Sequence, residues 1–563
     1  KPRVRRMPFQ NNYANLVTEK PQAHTRLIRD YDGSNKDFDF IIIGSGIGGG
    51  ILADDLADRL GQSHRILVLD AGSFIYPTHV YNISRIPNGS VAPHFGVDNF
   101  KQSPSGSHFI GSKPQLCFGG RSIFWSGLIP QAQSWEMEFF PDNVRQDLES
   151  KYFRLANDRM NLSSSLGDKA KKLVSYFQSS SLNSDFEIKQ TPRAVHQPYL
   201  DPDGTPRDQF FAEPTGVFNT AELLINQVGL TPGVDQNGKG LFIKLNSFVE
   251  AVQNVPFDWY EVKTTNTITG EQLSFYSPKV IIAAGSTESP KLLHRSSVYQ
   301  SLPDRIRKQV GFGLTDHPVT GESQAYVSSL GRNASLIPLS RQDHAKIIFY
   351  SRGNRDANGQ VIYPFNIEMN VNHEYWHLRN NDPSAEPVVD DTSRTRVDIK
   401  FSFGNCLDDE NGIFSHANDN YTPEIRFKRF SNLDDLLGSR FPALAGWNKS
   451  KNEFFALLNQ TRNRIFAEFN DVNFNTGEYG EGDGKQWPFG WGTVHHACGT
   501  LRMPWKANRN ANFNNDSVVD EDLKVRGTTG LYVCDMSVMP ISTAANPVLA
   551  LAGLALRLSD RLG

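Results

Sequence analysis

The stretch DFDFIIIGSGIGGGILADDLADRL, residues 37–60, decides the fold. Phe40 to Ile43 form a short unbroken apolar run, the pattern of a strand buried on both faces in a parallel sheet. Gly44, Gly46 and Gly49 follow at once as G-x-G-x-x-G, and Ile51, Leu52, Leu56 and Leu60 then recur at helical spacing. RILVLDAG, residues 65–72, is a second strand that ends on an acid. Strand, glycine turn, helix and strand make a βαβ unit. In such a unit the first glycine permits the tight turn. The second lets backbone amides approach a pyrophosphate at the positive end of the helix, and the third lets helix and strand pack closely. Asp70, about 24 residues past Gly46, stands where it would accept ribose hydroxyls, and an acid there argues against a 2′-phosphate. FAD and NAD both satisfy this pattern. The alternative, a glycine-rich turn with no ligand, would not require the strand before, the helix after and the acid at that distance.

The rest of the chain bounds the setting. Its 563 residues exceed one compact core, so two domains or a large composite are expected. With 58 Lys and Arg against 61 Asp and Glu the charge is nearly balanced, which argues against nucleic acid or an anionic membrane as partner. No apolar run is long enough to cross a bilayer, so a soluble chain is expected. Cys117, Cys406, Cys498 and Cys534 are scattered, without metal-ligand spacing, so neither a disulfide framework nor a metal site is expected. The opening KPRVRRM reads as a solvated basic arm. A first residue other than Met fits a targeting segment already removed. The sequons at Asn82, Asn88, Asn161 and Asn333 lie in an Asn-rich chain where chance supplies them, which leaves the compartment open with a secreted or periplasmic setting favoured.

Further α/β pieces lie in the middle and at the end. KVIIAAGSTESPKLLHRSS, residues 279–297, is strand, turn and helix; residues 530–562 are strand, loop and a long terminal helix. Between them RVDIKFSFG, residues 396–404, alternates apolar and polar positions, as a half-buried strand of an antiparallel sheet does. NEFFALLNQTRNRIFAEF, residues 452–469, has the pattern of an amphipathic helix.

Two places invite chemistry. WGTVHHACGTLRM, residues 491–503, carries adjacent His495 and His496. In an extended segment they would point to opposite sides, so at most one would face a given cavity. Histidine is a natural base near neutral pH, but the local sequence does not choose between the two, or between chemistry and packing. At the other place Asn546 precedes Pro547 ahead of the terminal helix, a favoured N-cap before a residue that suits the first turn. Capping alone would account for Asn546; a helix dipole facing a ligand would give it a second role.

These blocks together resemble the glucose–methanol–choline (GMC) family of flavin oxidoreductases. The first βαβ unit is similar to that family's FAD fingerprint. GGRSIFWSG (119–127) is similar to its glycine-serine loop along the flavin, and VIIAAGSTESPKLL (280–293) to its second signature. VGFGLTDHPV (310–319) and residues 518–547 are similar to further family blocks. The resemblance implies an α/β fold: a Rossmann-like FAD-binding domain plus an α+β substrate domain with a large antiparallel sheet roofing the flavin. It places a 1–36 arm before a discontinuous FAD domain of 37–150, 240–320 and 485–563, with 151–239 and 321–484 as the substrate domain. The family's H-x-x-G-T pattern falls on His496, Gly499 and Thr500, which makes His496 the catalytic histidine and sends His495 elsewhere. The second polar catalytic position falls on Asn546. The cofactor set it implies is Gly44, Ser45, Gly46, Ile47, Gly49, Asp70, Ala71, Gly119, Gly120, Ser122, Trp125, Val249, Ala284, Gly285, Asp535, Asn546 and Pro547. GGRSIFWSG departs from the commoner family loop and is closer to the pyranose oxidase-like branch. Some of that branch tether the flavin through a histidine just before the Trp. Phe124 stands at that position, so the FAD is expected to be non-covalent, with Phe124 and Trp125 as walls beside the flavin. The implied reaction is oxidation of an alcohol group on a sugar or glycoside, by hydride transfer to flavin N5 with a His base and oxygen or another acceptor reoxidising the flavin. Aryl or other primary alcohols are the alternative substrates, and a flavin-retaining lyase or photodecarboxylase the alternative chemistry. Aromatics interleaved with Asn and His in YPFNIEMNVNHEYWHLRNND (363–382) are candidates for sugar contact or for plain core.

Overall fold

The computed structural model describes residues 37–74, 78–80, 101–102, 114–163, 167–196, 216–230, 239–331, 336–340, 343, 345–359, 361–372, 394–416, 419–426, 451–486, 495–507 and 511–563. The basic arm, three of the four sequons and residues 373–382 of the aromatic stretch lie outside these.

In chain order the parallel α/β layer consists of β1 (Phe40–Ile43), α1 (Ile47–Leu60), β2 (Arg65–Leu69), β3 (Gly240–Lys244), β4 (Lys279–Ile282), α2 (Gly285–Arg295), β5 (Leu531–Val533) and α3 (Val548–Leu562). The five strands form one parallel sheet in the order β5-β4-β1-β2-β3. β1 is central and buried along its whole length, which is why its sequence is apolar at every position instead of alternating. α1 presents Ile51, Leu52 and Leu56 inward and packs against α3. Between β3 and β4 the chain makes an antiparallel meander of Ser247–Val255, Trp259–Asn266 and Gln272–Ser277.

The second large sheet is antiparallel and six-stranded. Its spatial order is Asn473–Phe474, Ser323–Val327, Thr395–Ser402, Asn366–Val371, Ala345–Ser351, Phe186–Gln190. One face carries Ile347, Phe349, Ile367, Met369, Val397, Ile399 and Phe401 into a second core, which the helices Asp168–Gln178 and Lys451–Phe466 also feed. Strand alternation puts Asn366, Glu368, Asn370, Arg396, Asp398 and Lys400 on the other face. The alternation in RVDIKFSFG suggested one packed face, but the polar face is covered too: Asp398 is fully buried and Asn366 is 1% exposed. The charges there are tolerated because they pair, Arg396 with Asp398 at 2.7 Å and Lys400 with Glu368 at 3.0 Å.

The first core draws on residues from Phe38 to Met160, on 218–310 and on Cys498 to Leu562. Ala194, Phe218, Ala221 and Leu224 join it, although they fall in the 151–239 span that the sequence assigned to the substrate domain. All four cysteines are free and buried. Among the described residues no helix is long and apolar enough to cross a membrane.

Candidate active site

The glycine turn is shaped by close packing on one side and an opening on the other. Gly44 has φ +106°, and a Cβ there would meet the Ala283 carbonyl oxygen at 2.4 Å, so only glycine fits between β1 and the end of β4. At Gly46 a Cβ would meet nothing within 4 Å. That glycine lines a cavity whose wall also includes Asp70, Ala71, Val249, Trp125, His496 and Asn546. α1 begins at Gly46 without a side-chain cap or an acid in its first turn. α3 begins on the same cavity, through Pro547, Val548 and Leu551, again with no side-chain cap and no acid. Two positive helix ends on one cavity, one beside an open glycine, fit a ligand carrying phosphate and a second electron-rich group. An FAD meets that requirement.

One hydrogen-bond network ties the turn to the loop at 119–122. Asp70 Oδ2 accepts from the Ser45 backbone N–H at 3.0 Å and from its hydroxyl at 2.5 Å, while Oδ1 accepts from Gly72 N–H at 2.8 Å. Ser45 Oγ in turn accepts from Gly119 N–H at 2.9 Å. The Ser122 hydroxyl donates to Gly119 O at 2.6 Å and accepts from Thr220 N–H at 3.0 Å. Burial pushes the Asp70 carboxyl up to about 6 against these bonds. Asp535 closes the far side: its Oδ2 accepts from Gly285 N–H at 2.9 Å and its Oδ1 from Ser537 N–H at 2.8 Å.

His496 is positioned by pairing between segments far apart in sequence. Thr315 and Cys498 form an antiparallel bridge, exchanging N–H···O bonds of 3.1 and 2.9 Å. Thr500 Oγ1 donates to Ser286 O at 2.6 Å, and Ser286 Oγ to Ala497 O at 2.5 Å, fixing the H-x-x-G-T segment on α2. The Asp316 carboxyl accepts from the backbone N–H groups of His317 and His496. The pairing brings His317 Nε2 to 2.9 Å from His496 Nδ1, and His317 Nδ1 to 3.1 Å from the Thr543 carbonyl. A carbonyl can only accept, so His317 Nδ1 carries its proton and Nε2 of the neutral ring is an acceptor. His496 Nδ1 must then donate, which leaves Nε2 of His496 as a bare lone pair. Both rings are held neutral: burial brings His317 down to about 4, and burial together with His317, His495 and Lys400 holds His496 well below its ordinary value. Asp316, His317 and His496 are also the one group of three metal-ligating residues found together among the described residues. The ring–ring hydrogen bond already uses the two nitrogens that would face such an ion.

Two sequence expectations need correction. His495 has φ +62°, in the left-handed region, so the pair is not extended, and His495 and His496 both line the cavity. Its carbonyl accepts from Arg121 at 2.8 Å. At α3 the capping position is Pro547, with Asn546 one residue earlier and no side-chain cap bond. Pro547 fits there because its own carbonyl accepts the first helical N–H, from Leu551 at 3.0 Å. The Asn546 amide is therefore not engaged as a cap, and it lines the cavity.

Of the residues the sequence nominated, Gly44, Ser45, Gly46, Ile47, Asp70, Ala71, Gly120, Ser122, Phe124, Trp125, Val249, Ala284, Gly285, Asp535, Asn546, Pro547 and His496 line the cavity. Gly49 and Gly119 stand behind it as packing and hydrogen-bonding positions. The sequence missed Arg121, Phe248, Arg295 and Met536 in the wall, and His317 behind it. For His317 a signal was present in the TDHP motif, but nothing local says what it faces.

Residues 455–555 match the GMC oxidoreductase C-terminal family model. The whole fold is similar to pyridoxine 4-oxidase from Mesorbium loti, with TM-score 0.58 and 16% identity, covering 93% of this chain and 98% of that one. It is also similar to formate oxidase from Aspergillus oryzae RIB40, a structure concerned with FAD modification, with TM-score 0.57 and 14% identity over 94% and 98% of the two chains. A stretch of 70 residues is 39% identical to Oxidoreductase cicC of Emericella nidulans, spanning 12% of this chain and 10% of that relative's length. The chain has the GMC oxidoreductase fold and carries the family's C-terminal domain.

Proposed function

We propose that this chain is an FAD-dependent oxidoreductase that oxidises an alcohol group on a sugar or glycoside, with His496 as general base. The observation that carries this reading is the chain of bonds from Thr543 O through His317 to His496, which leaves a neutral imidazole with its free Nε2 on the cavity. A bound FAD would supply the hydride acceptor. Asp70 and Val249 would hold its adenosine end, the α1 amides its pyrophosphate, and Gly120, Ser122 and Trp125 its ring system. The α3 N-terminus would stabilise negative charge gained on reduction. Its binding segments would be 37–150, 240–320 and 485–563. His496 takes the substrate hydroxyl proton at Nε2, and Asn546 holds the same oxygen in place. Because His496 Nδ1–H is already directed at the His317 lone pair, Nε2 is the atom that receives the proton. The sugar or glycoside class rests on the likeness of residues 119–127 to the loop of the pyranose oxidase-like branch, and Glu368 and Lys400 of the six-stranded sheet act on His317 electrostatically.

The test is an anaerobic screen of sugars, glycosides and aryl alcohols for bleaching of the bound flavin. A sugar or glycoside should bleach it. Bleaching by aryl alcohols alone would overturn the substrate class, and none by any alcohol would overturn the reaction. Admitting oxygen and measuring peroxide then separates oxidase from dehydrogenase. With Phe124 where a tethering histidine would stand, acid precipitation should release the flavin to the supernatant; flavin pelleting with the protein would overturn non-covalent binding.

A further inference from the structure

Glu136 is a buried acid, 1% exposed, that the reaction above does not use. It sits in a single helical turn, Ser134–Met137, far in sequence from either catalytic segment. Its Oε1 accepts from Ala544 N–H at 2.5 Å and from Ala545 N–H at 3.1 Å, and its Oε2 accepts from Gln133 N–H at 2.9 Å. Trp135, from the same turn, packs on Ala544 and Val361. The two clamped amides lie between Thr543, whose carbonyl fixes the His317 tautomer, and Asn546. Inside the loop Thr543 Oγ1 donates to Ala545 O at 2.6 Å. Desolvation makes a buried carboxylate costly, and burial raises this one to about 7, so without a positional role an apolar residue would serve better here.

We infer that Glu136 is a positioning residue for the reaction: through the Ala544 and Ala545 amides it sets both the Thr543 carbonyl and the Asn546 side chain. This rests on the alcohol-oxidation reading. One carboxylate oxygen holding two consecutive amides restrains the 543–546 backbone. In that arrangement Thr543 O is turned toward His317 while the Asn546 amide lines the cavity. Glu136→Ala removes the acceptor of two buried amides and lets the segment turn. Glu136→Gln keeps one carbonyl oxygen for them but loses the acceptor of Gln133 N–H.

Two measurements on the holoenzyme test the inference. Hydrogen–deuterium exchange of the peptide spanning 541–548 needs no substrate. It should quicken in Glu136→Ala and less in Glu136→Gln, with FAD content retained; unchanged exchange overturns the clamp. The second is a double-mutant cycle on the flavin-reduction rate constant. Glu136→Ala should slow reduction by roughly ten- to a hundredfold, the scale of a misplaced catalytic group, with little change in substrate KM. In an Asn546→Ala background the further loss should shrink to the part carried through His317. Full multiplication of the two losses would overturn positioning and leave a general structural effect. If no alcohol reduces the wild type, the alcohol-oxidation reading fails and the positioning role falls with it, while the exchange result still decides the clamp itself.

Discussion

His496→Ala is expected to slow reduction of the bound flavin by about 10²–10⁴-fold, the usual share of a general base, while the protein still folds and retains FAD. The retention follows from number: His496 is one of many residues lining the cavity, and the glycine turn, Asp70 and the loop at 119–122 would carry most of the binding. The loss follows from the tautomer chain, which leaves Nε2 of His496 as the acceptor. His495, its neighbour in the same wall, is the internal control. It is exposed and its carbonyl is held by Arg121, so His495→Ala should cost far less. The pH dependence carries its own sign. A base works in its neutral form, which dominates above its pKa. Burial and nearby positive charge lower both His496 and His317, so the acid limb of the reduction rate should lie well below the ordinary histidine range, leaving the rate flat through that range. His317→Ala removes one of the groups that depress His496 and frees its Nδ1–H, so the limb should move upward and the rate fall. Stopped-flow reduction across that range checks all of these. Unchanged reduction in His496→Ala would sink the assignment.

The parts of this site that were legible in sequence are those whose cause is local. The glycine turn and Asp70 lie within one βαβ unit, where period and spacing dictate which residues meet. The alternation in RVDIKFSFG gave the apolar face of the antiparallel sheet for the same reason. It could not show that the polar face is covered, where Lys400 pairs with Glu368 on the neighbouring strand and Arg396 with Asp398 on its own. The histidine pair shows both limits. The expectation that His495 and His496 face opposite ways assumed an extended chain, and a left-handed residue at His495 cannot be read from side-chain pattern. The partner that fixes His496 arrives through the bridge between Thr315 and Cys498, a contact of long sequence separation that no local period announces. Asn546 was displaced by a single position because Pro547 can itself begin the last helix, and that one residue is what leaves the amide available to the cavity.

Gly46 and Gly49 should separate binding from packing within one motif. Gly46 has φ −63° and ψ −171°, a backbone open to any residue, and a Cβ there would meet no atom within 4 Å. Gly46→Leu should therefore leave the apoprotein close to wild type, within about 0.5 kcal/mol, as for a substitution with no native contact to break. Its side chain would nonetheless stand in the cavity where α1 presents its amides, so the purified protein should be largely free of flavin. Gly49 behaves in the opposite way. A Cβ there would sit 2.1 Å from the Gly44 carbonyl oxygen and 3.0 Å from Ala283 Cβ, so Gly49→Ala must push α1 off the sheet. The expected cost is on the order of 1–3 kcal/mol of stability, and flavin would be lost only as the fold loosens. Flavin absorbance per protein and thermal unfolding of both apoproteins give the contrast directly. If Gly46→Leu kept a full complement of FAD, the pyrophosphate could not lie at this turn, and the cavity would have to be assigned to a different ligand.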